Sequence, residues 1–268
     1  MEFPILSSED LRNITAAILA GKKEVLLSLD LGYSGKKEKV ELYDQGIIYD
    51  KQFIEIPSVR EDDKSCYLVL ADVIEKVQYS SGGGVYKLVP TSFRPILQIS
   101  GTSMHKQSFI ERVDKDKLWG KVLDSGTGLG YTAIAASKSA KVITIEVDEM
   151  VSQLQKINPY SQELFDNDNI KLVEGDLVDE IKKFPNLEFN FIILDGGTPK
   201  SSGEFFSAKN YEQAFRVLKF GGKLYHYVPN YHVERGTDFA ENISTTLKKI
   251  GFRKVERDKE GSYLIATK

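Results

Sequence analysis

The chain holds one cysteine, Cys66, and three histidines in 268 residues. A single cysteine excludes an internal disulfide framework and fits a reducing compartment, so a cytoplasmic location is expected. With so few thiols and imidazoles, no dedicated zinc or iron site is expected. No apolar run reaches the ~20 residues of a membrane-spanning helix, and no membrane partner is expected. The opening stretch MEFPILSSED lacks the basic and apolar segments of a secretory signal. Excess positive charge is missing too. A formal net charge of −3 argues against a broadly basic nucleic-acid surface. The KKEK run at Lys36–Lys39 is mixed in sign and reads as a solvated turn. Internal repeats are also absent.

What is present is an ordinary globular composition, 41% hydrophobic and 28% charged, enough for one large domain or a medium and a small one. Ser7–Ala20 reads as a helix, with Ser7 and Asp10 spaced as a capping box and Leu11, Ile14 and Ile18 on one face. From Glu24 the period falls to two through Val25, Leu27, Leu29 and Leu31. Further strands are expected at Val40–Tyr43, Ile47–Ile56, Cys66–Leu70, Val85–Val89 and Ile96–Ile99. Residues 1–100 thus read as a small β-rich domain, a partial barrel with an N-terminal helix.

Residues 101–268 alternate strand and helix, the pattern of an α/β parallel sheet covered on both faces. Strands are expected at Lys121–Leu123, Val142–Glu146, Ile170–Val173, Phe191–Leu194 and Leu224–Val228. Helices are expected at Glu149–Ile157, Ala208–Lys219 and Phe239–Ile250. The last two strand-like runs, Arg253–Arg257 and Ser262–Ala266, flank a turn at Asp258–Gly261 and read as an antiparallel hairpin, giving seven strands.

The stretch Lys121–Gly130, KVLDSGTGLG, carries the strongest chemical signal. Asp124 stands at the carboxyl end of its strand, and Gly126, Gly128 and Gly130 alternate before a small-residue helix at Tyr131–Ala140. Glycine admits positive φ and close backbone approach, and the following helix offers N–H groups at its start. A dinucleotide loop is spaced G-x-G-x-x-G; here the third glycine falls one residue early. An acid just before the loop suits a cationic ligand end better than a pyrophosphate. D-x-G-x-G-x-G resembles the first motif of class I S-adenosylmethionine-dependent methyltransferases, which implies a Rossmann-like methyltransferase sheet and S-adenosyl-L-methionine as cofactor. Asp124, Ser125, Gly126, Thr127, Gly128 and Gly130 would line the loop side.

Glu146 ends the second strand, 20 residues beyond Gly126. An acid at that place accepts ribose hydroxyls, with Val147 beside it; the alternative is a solvated carboxylate. Asp176 in VEGDL follows the third strand, where the resemblance implies an adenine contact flanked by Gly175 and Leu177. The competing role is a helix N-cap. Asp195 ends the fourth strand and opens DGGTP, which would bring it to the transfer centre; a turn aspartate is the plainer alternative. His105, in the Ser103–His105 lead-in, is the second candidate catalytic residue. Tyr211 and His226 are acceptor-side candidates too, although both read more simply as core residues.

Together with Gly221 and Gly222, these motifs follow the methyltransferase order. The chain resembles an archaeal subfamily of predicted methyltransferases in SGTSMH, EFFSAKNYEQAFRVLK and GGKLYHYVPN. That subfamily has no assigned substrate, and its fourth strand usually ends in an acid and two prolines, where this chain has Gly196 and Gly197. The acceptor therefore stays open among small molecule, RNA and protein, as does the oligomeric state. Two other readings compete. Spermidine synthases, which transfer aminopropyl groups, share a β-rich start and a similar helix after strand four; their second aspartate there is Thr198 here. A non-catalytic S-adenosylmethionine-binding subunit is the third reading.

Overall fold

The computed structural model describes residues 3–104, 106–197, 203–228 and 238–268. The chain divides into two compact units, Met1–Met104 with Gln153–Gln162, and His105–Ser152 with Glu163–Lys268.

In the first unit the capping box forms. Ser7 Oγ accepts from the Asp10 N–H, and the Asp10 carboxylate accepts from the Ser7 N–H at 2.8 Å. These contacts satisfy donors at the start of helix Ser8–Leu19. Its Leu11, Ile14 and Ala17 pack with Leu27, Val40 and Ile47 in the unit's apolar core. The β structure is three short antiparallel sheets, of three, four and four strands, rather than the expected partial barrel. The expected strand Ile47–Ile56 is two strands, Gly46–Tyr49 and Gln52–Glu55. Asp50 and Lys51 both take positive φ between them, the two-residue hairpin turn that matches strand twist. A strand the sequence did not announce, Ile5–Ser7, comes first, and the one from Glu24 stops at Leu27. Past it, the Asp30 carboxylate accepts from Ser28 Oγ, Gly32 N–H and Ser34 N–H and turns the chain.

The second unit holds one seven-stranded sheet: β1 (Gly120–Ser125), β2 (Ala140–Glu146), β3 (Ile170–Glu174), β4 (Phe189–Leu194), β5 (Leu218–Tyr227), β6 (Lys254–Asp258) and β7 (Tyr263–Thr267). The order is β3-β2-β1-β4-β5-β7-β6. β1 to β5 are parallel, and β7 pairs antiparallel with both β5 and β6. This is the Rossmann-like methyltransferase fold with its antiparallel final hairpin. β4 is apolar where it crosses the core, at Ile192, Ile193 and Leu194. Strands buried on both faces read as continuous apolar runs for that reason.

Helix Ala208–Val217 ends two residues earlier than expected, and β5 begins at once at Leu218. Gly221 and Gly222 therefore lie inside the strand. A side chain at 222 would meet the Asn190 and Lys219 carbonyl oxygens, each 2.8 Å from an added Cβ. The loop helix spans Tyr131–Ser137, since Ala140 already belongs to β2. Asp124 pairs in register with Thr144 on one side and Ile193 on the other. This register sets the carboxyl ends of β1, β2 and β4 side by side.

Candidate functional site at the carboxyl edge of the sheet

Asp124 is wholly buried at the end of β1. Its carboxylate accepts from Thr132 Oγ at 2.9 Å and Thr144 Oγ at 2.6 Å. Thr127 Oγ lies 2.6 Å from Thr144 Oγ. With Asp124 ionised, the proton order is fixed: Thr127 donates to Thr144, which donates to Asp124. Sequence reasoning missed both threonine anchors. The available signal was Thr144 in ITIE, a polar residue inside an apolar strand.

The glycine loop uses most of its own donors. Gly126 and Thr127 N–H groups both donate to the Ile145 carbonyl, at 3.1 and 3.3 Å. The Gly130 N–H donates to Thr127 O at 2.7 Å, and the Gly128 N–H to Glu146 Oε2 at 2.8 Å. Four N–H groups that could cradle an anion are thereby spent, three on the end of β2 and one within the loop. Gly126 has φ +67°, and a Cβ there would sit 1.8 Å from the Asp195 carbonyl oxygen. That contact is what the first glycine is for.

Glu146, at the end of β2, is buried as well. Oε1 accepts from the Val147 and Asp148 N–H groups at 3.0 Å each. A carboxylate offers about four acceptor sites. Three are filled, leaving one on Oε2. The Val147 side chain is exposed, while its N–H is held by the Glu146 carboxylate. Gly175 N–H donates to Glu146 O at 2.8 Å, tying the β3 end to the β2 end.

Asp176 is exposed and caps helix Leu177–Glu180, its Oδ1 accepting from Val178 N–H at 2.8 Å. The capping role proposed from the sequence is therefore filled. Leu177 commits its side chain to the apolar core of the unit. Ser125 is fully buried, and its hydroxyl has no hydrogen-bond partner among the described residues.

Asp195, part-buried beyond β4, donates its N–H to Ser125 O at 3.0 Å. Burial pushes its carboxyl up to about 7, with the charges of Asp124 and Glu146 adding to the effect. Asp124 is also pushed up to about 7 by burial, against the two threonine hydrogen bonds. Glu146 is raised by burial and held back by its backbone donors. None of the ion pairs among the described residues includes any of these three acids. The result is a cluster of three acids beside the glycine loop at the carboxyl edge of the sheet.

His226 and Tyr211 are fully buried and hydrogen-bonded to each other, as core residues. The ring of Phe205 packs against Gly196. His105 and Thr198 lie outside the described residues.

Against known proteins, the chain is 37% identical over 262 residues to the uncharacterized protein MJ1233 of Methanocaldococcus jannaschii, covering 92% of this chain and 90% of that one. The chain belongs to the family of that archaeal protein. No model of a known protein family matches it. Among solved structures, a spermidine synthase in complex with the transition-state analogue AdoDATO aligns with a TM-score of 0.60 at 20% identity, over 71% of this chain and 72% of that one. The spermidine synthase of Thermotoga maritima aligns with a TM-score of 0.57 at 19% identity, over 71% of each chain. At that identity the likeness is one of fold. Among the described residues, no helix is long and apolar enough to cross a membrane.

Proposed function

We propose that the protein is a methyltransferase that uses S-adenosyl-L-methionine. One observation carries the reading: the loop that would cradle a phosphate spends four of its N–H groups on the end of β2 and on itself, beside the buried Asp124 and Glu146 and the part-buried Asp195. A pyrophosphate needs the opposite arrangement, with free donors and no facing carboxylates. A ligand with a cationic sulfonium and ammonium and a neutral ribose suits what is present. Bound there, S-adenosylmethionine supplies a methyl group activated by its sulfonium.

The chain's own residues would do the rest. Glu146 would accept one ribose hydroxyl on the acceptor site left open at Oε2. Asp124 would hold the loop through Thr132 and Thr144 and contribute negative charge. Asp195, with a carboxyl near neutrality, is suited to take a proton from the acceptor. Fixing donor and acceptor in line is the larger part of such catalysis.

Aminopropyl transfer is the second reading, favoured by the alignment with spermidine synthases across 71% of the chain. Thr198 counts against it, because a hydroxyl cannot replace a carboxylate that binds and deprotonates an amine. The deciding experiment incubates purified protein and methyl-labelled S-adenosylmethionine with an extract of the source cells, then separates RNA, protein and small molecules. Label in one fraction establishes methyl transfer and the acceptor class. Absence of label, together with turnover of the decarboxylated cofactor and polyamines, overturns it in favour of the second reading.

A further inference from the structure

The tip of β4 is tied by a pair of side chains that the proposed reaction does not consume. His226 on β5 stands in register with Leu194, the last residue of β4. Its Nδ1 lies 3.2 Å from the Leu194 carbonyl oxygen, and its Nε2 lies 2.8 Å from the Tyr211 hydroxyl. A carbonyl only accepts, so Nδ1 carries the proton. Nε2 is then the acceptor, and the Tyr211 hydroxyl donates to it. Both ring nitrogens are spent.

The ring is also enclosed. Phe206 stacks on it at 5.5 Å and 23°, and Phe205 meets it edge-on at 6.0 Å. Burial brings the imidazole down to about 4, so it stays neutral around pH 7. A neutral ring with both nitrogens engaged has no capacity to act as a base without breaking the Tyr211 bond. What it does hold is the backbone at residue 194. Asp195 follows directly, its N–H fixed to Ser125 O and its carbonyl wedged against Gly126. Phe205, the ring flanking His226, also fills the space beside Gly196.

We infer that Tyr211 and His226 are positioning residues, a fixed and uncharged strut that sets where Asp195 stands at the reaction centre. The inference rests on the reading of Asp195 given above. Any buried histidine needs partners for its ring nitrogens; here the partners tie the ring to the strand tip that leads into Asp195. Among the described residues, the charged groups acting on Asp195 are Asp124 on β1 and Glu146 on β2. The pair adds no charge of its own, so its influence is through geometry alone.

The test is carbon and nitrogen NMR on the ligand-free full chain, wild type and Tyr211→Phe. Tyr211→Phe removes only a hydroxyl, and its melting curve verifies folding; His226→Ala is the second variant. The wild-type His226 ring is expected to be protonated at Nδ1 and not to titrate above about pH 5. In Tyr211→Phe the Asp195 carboxyl midpoint is expected to move by roughly half a pH unit or more, while the Asp124 midpoint holds. An Nε2-protonated ring, an unmoved Asp195, or an equal shift of both carboxyls overturns the proposal. None of these readouts needs a donor or an acceptor. A failure to find methyl transfer would thus leave this result standing, and the two failures are separable.

Discussion

Replacing Glu146 by glutamine tests the cofactor side most directly. The carboxylate accepts three backbone N–H groups and has one acceptor site left, on Oε2. Glutamine has one oxygen. If that oxygen keeps the Val147 and Asp148 N–H groups, the new NH2 faces the Gly128 N–H, donor against donor. The site for a ribose hydroxyl disappears at the same time. A hydrogen bond to a charged partner contributes about 1.5–3 kcal/mol, so affinity should fall by about tenfold to 150-fold. Stability should fall separately, by about 1–3 kcal/mol, for the Gly128 N–H left unpaired. Titration calorimetry with S-adenosylhomocysteine reads the first quantity, and urea denaturation without ligand reads the second. A folded Glu146→Gln protein that binds within twofold of wild type would refute the ribose role. A loss of stability without a loss of affinity would leave Glu146 as a loop anchor only.

Three further outcomes follow from the same geometry. Asp124 is pushed up to about 7 by burial, above its ordinary value near 4. Its folded form therefore favours the proton, and its contribution to stability is present at low pH and lost as pH rises from about 4 to about 7. Asp124→Asn cannot ionise, so in the ligand-free protein it should melt higher than wild type at pH 8. By pH 4 the advantage should vanish; a gain that is constant with pH would refute the burial argument. Gly126→Ala puts a Cβ into the Asp195 carbonyl at φ +67°. The left-handed backbone alone costs about 1–2 kcal/mol, and the clash with main chain adds to it. Lower melting and lost S-adenosylhomocysteine binding are expected, and near-wild-type behaviour in both would mean the loop has another conformation. Cys66 is fully buried, and burial raises its thiol. A thiol reagent should leave it unmodified in the native protein and label it on denaturation; fast native labelling would contradict this packing.

The sheet was legible in the sequence because its central strands are buried on both faces, and FNFIIL reads as such a strand. Strand ends were less so. Leu218 begins β5 directly after the helix, with no turn residue to announce it, and Gly221-Gly222 punctuates the strand rather than preceding it. The β-rich unit was read as several strands but not as three sheets, since pairing between distant segments leaves no local trace. Ile5–Ser7, for example, pairs with Cys66–Val69. At the site, the acids could be named from their positions at strand ends. Their hydrogen bonds could not. The role of the glycine loop shows the limit well: spacing excluded a dinucleotide, but only coordinates reveal that the Gly126 and Thr127 N–H groups are both turned inward to Ile145.

That inward turn bears on the acceptor as well as the donor. On the proposed reading, a loop with four N–H groups already engaged, beside three acids, would favour a cationic ligand over its neutral product. Burial, with the charges of Asp124 and Glu146 adding to it, raises the proton affinity of Asp195, so its carboxyl near neutrality exists in both protonation states. An acid in that range takes a proton from an acceptor effectively, whereas one held far below it would not. Recognition of the acceptor is then left to the groups beyond β4. There the described residues include Gly196, the exposed Glu204, the buried Phe205 and the partly buried Phe206. On the proposed reading, the acceptor would be one whose nucleophile carries a removable proton.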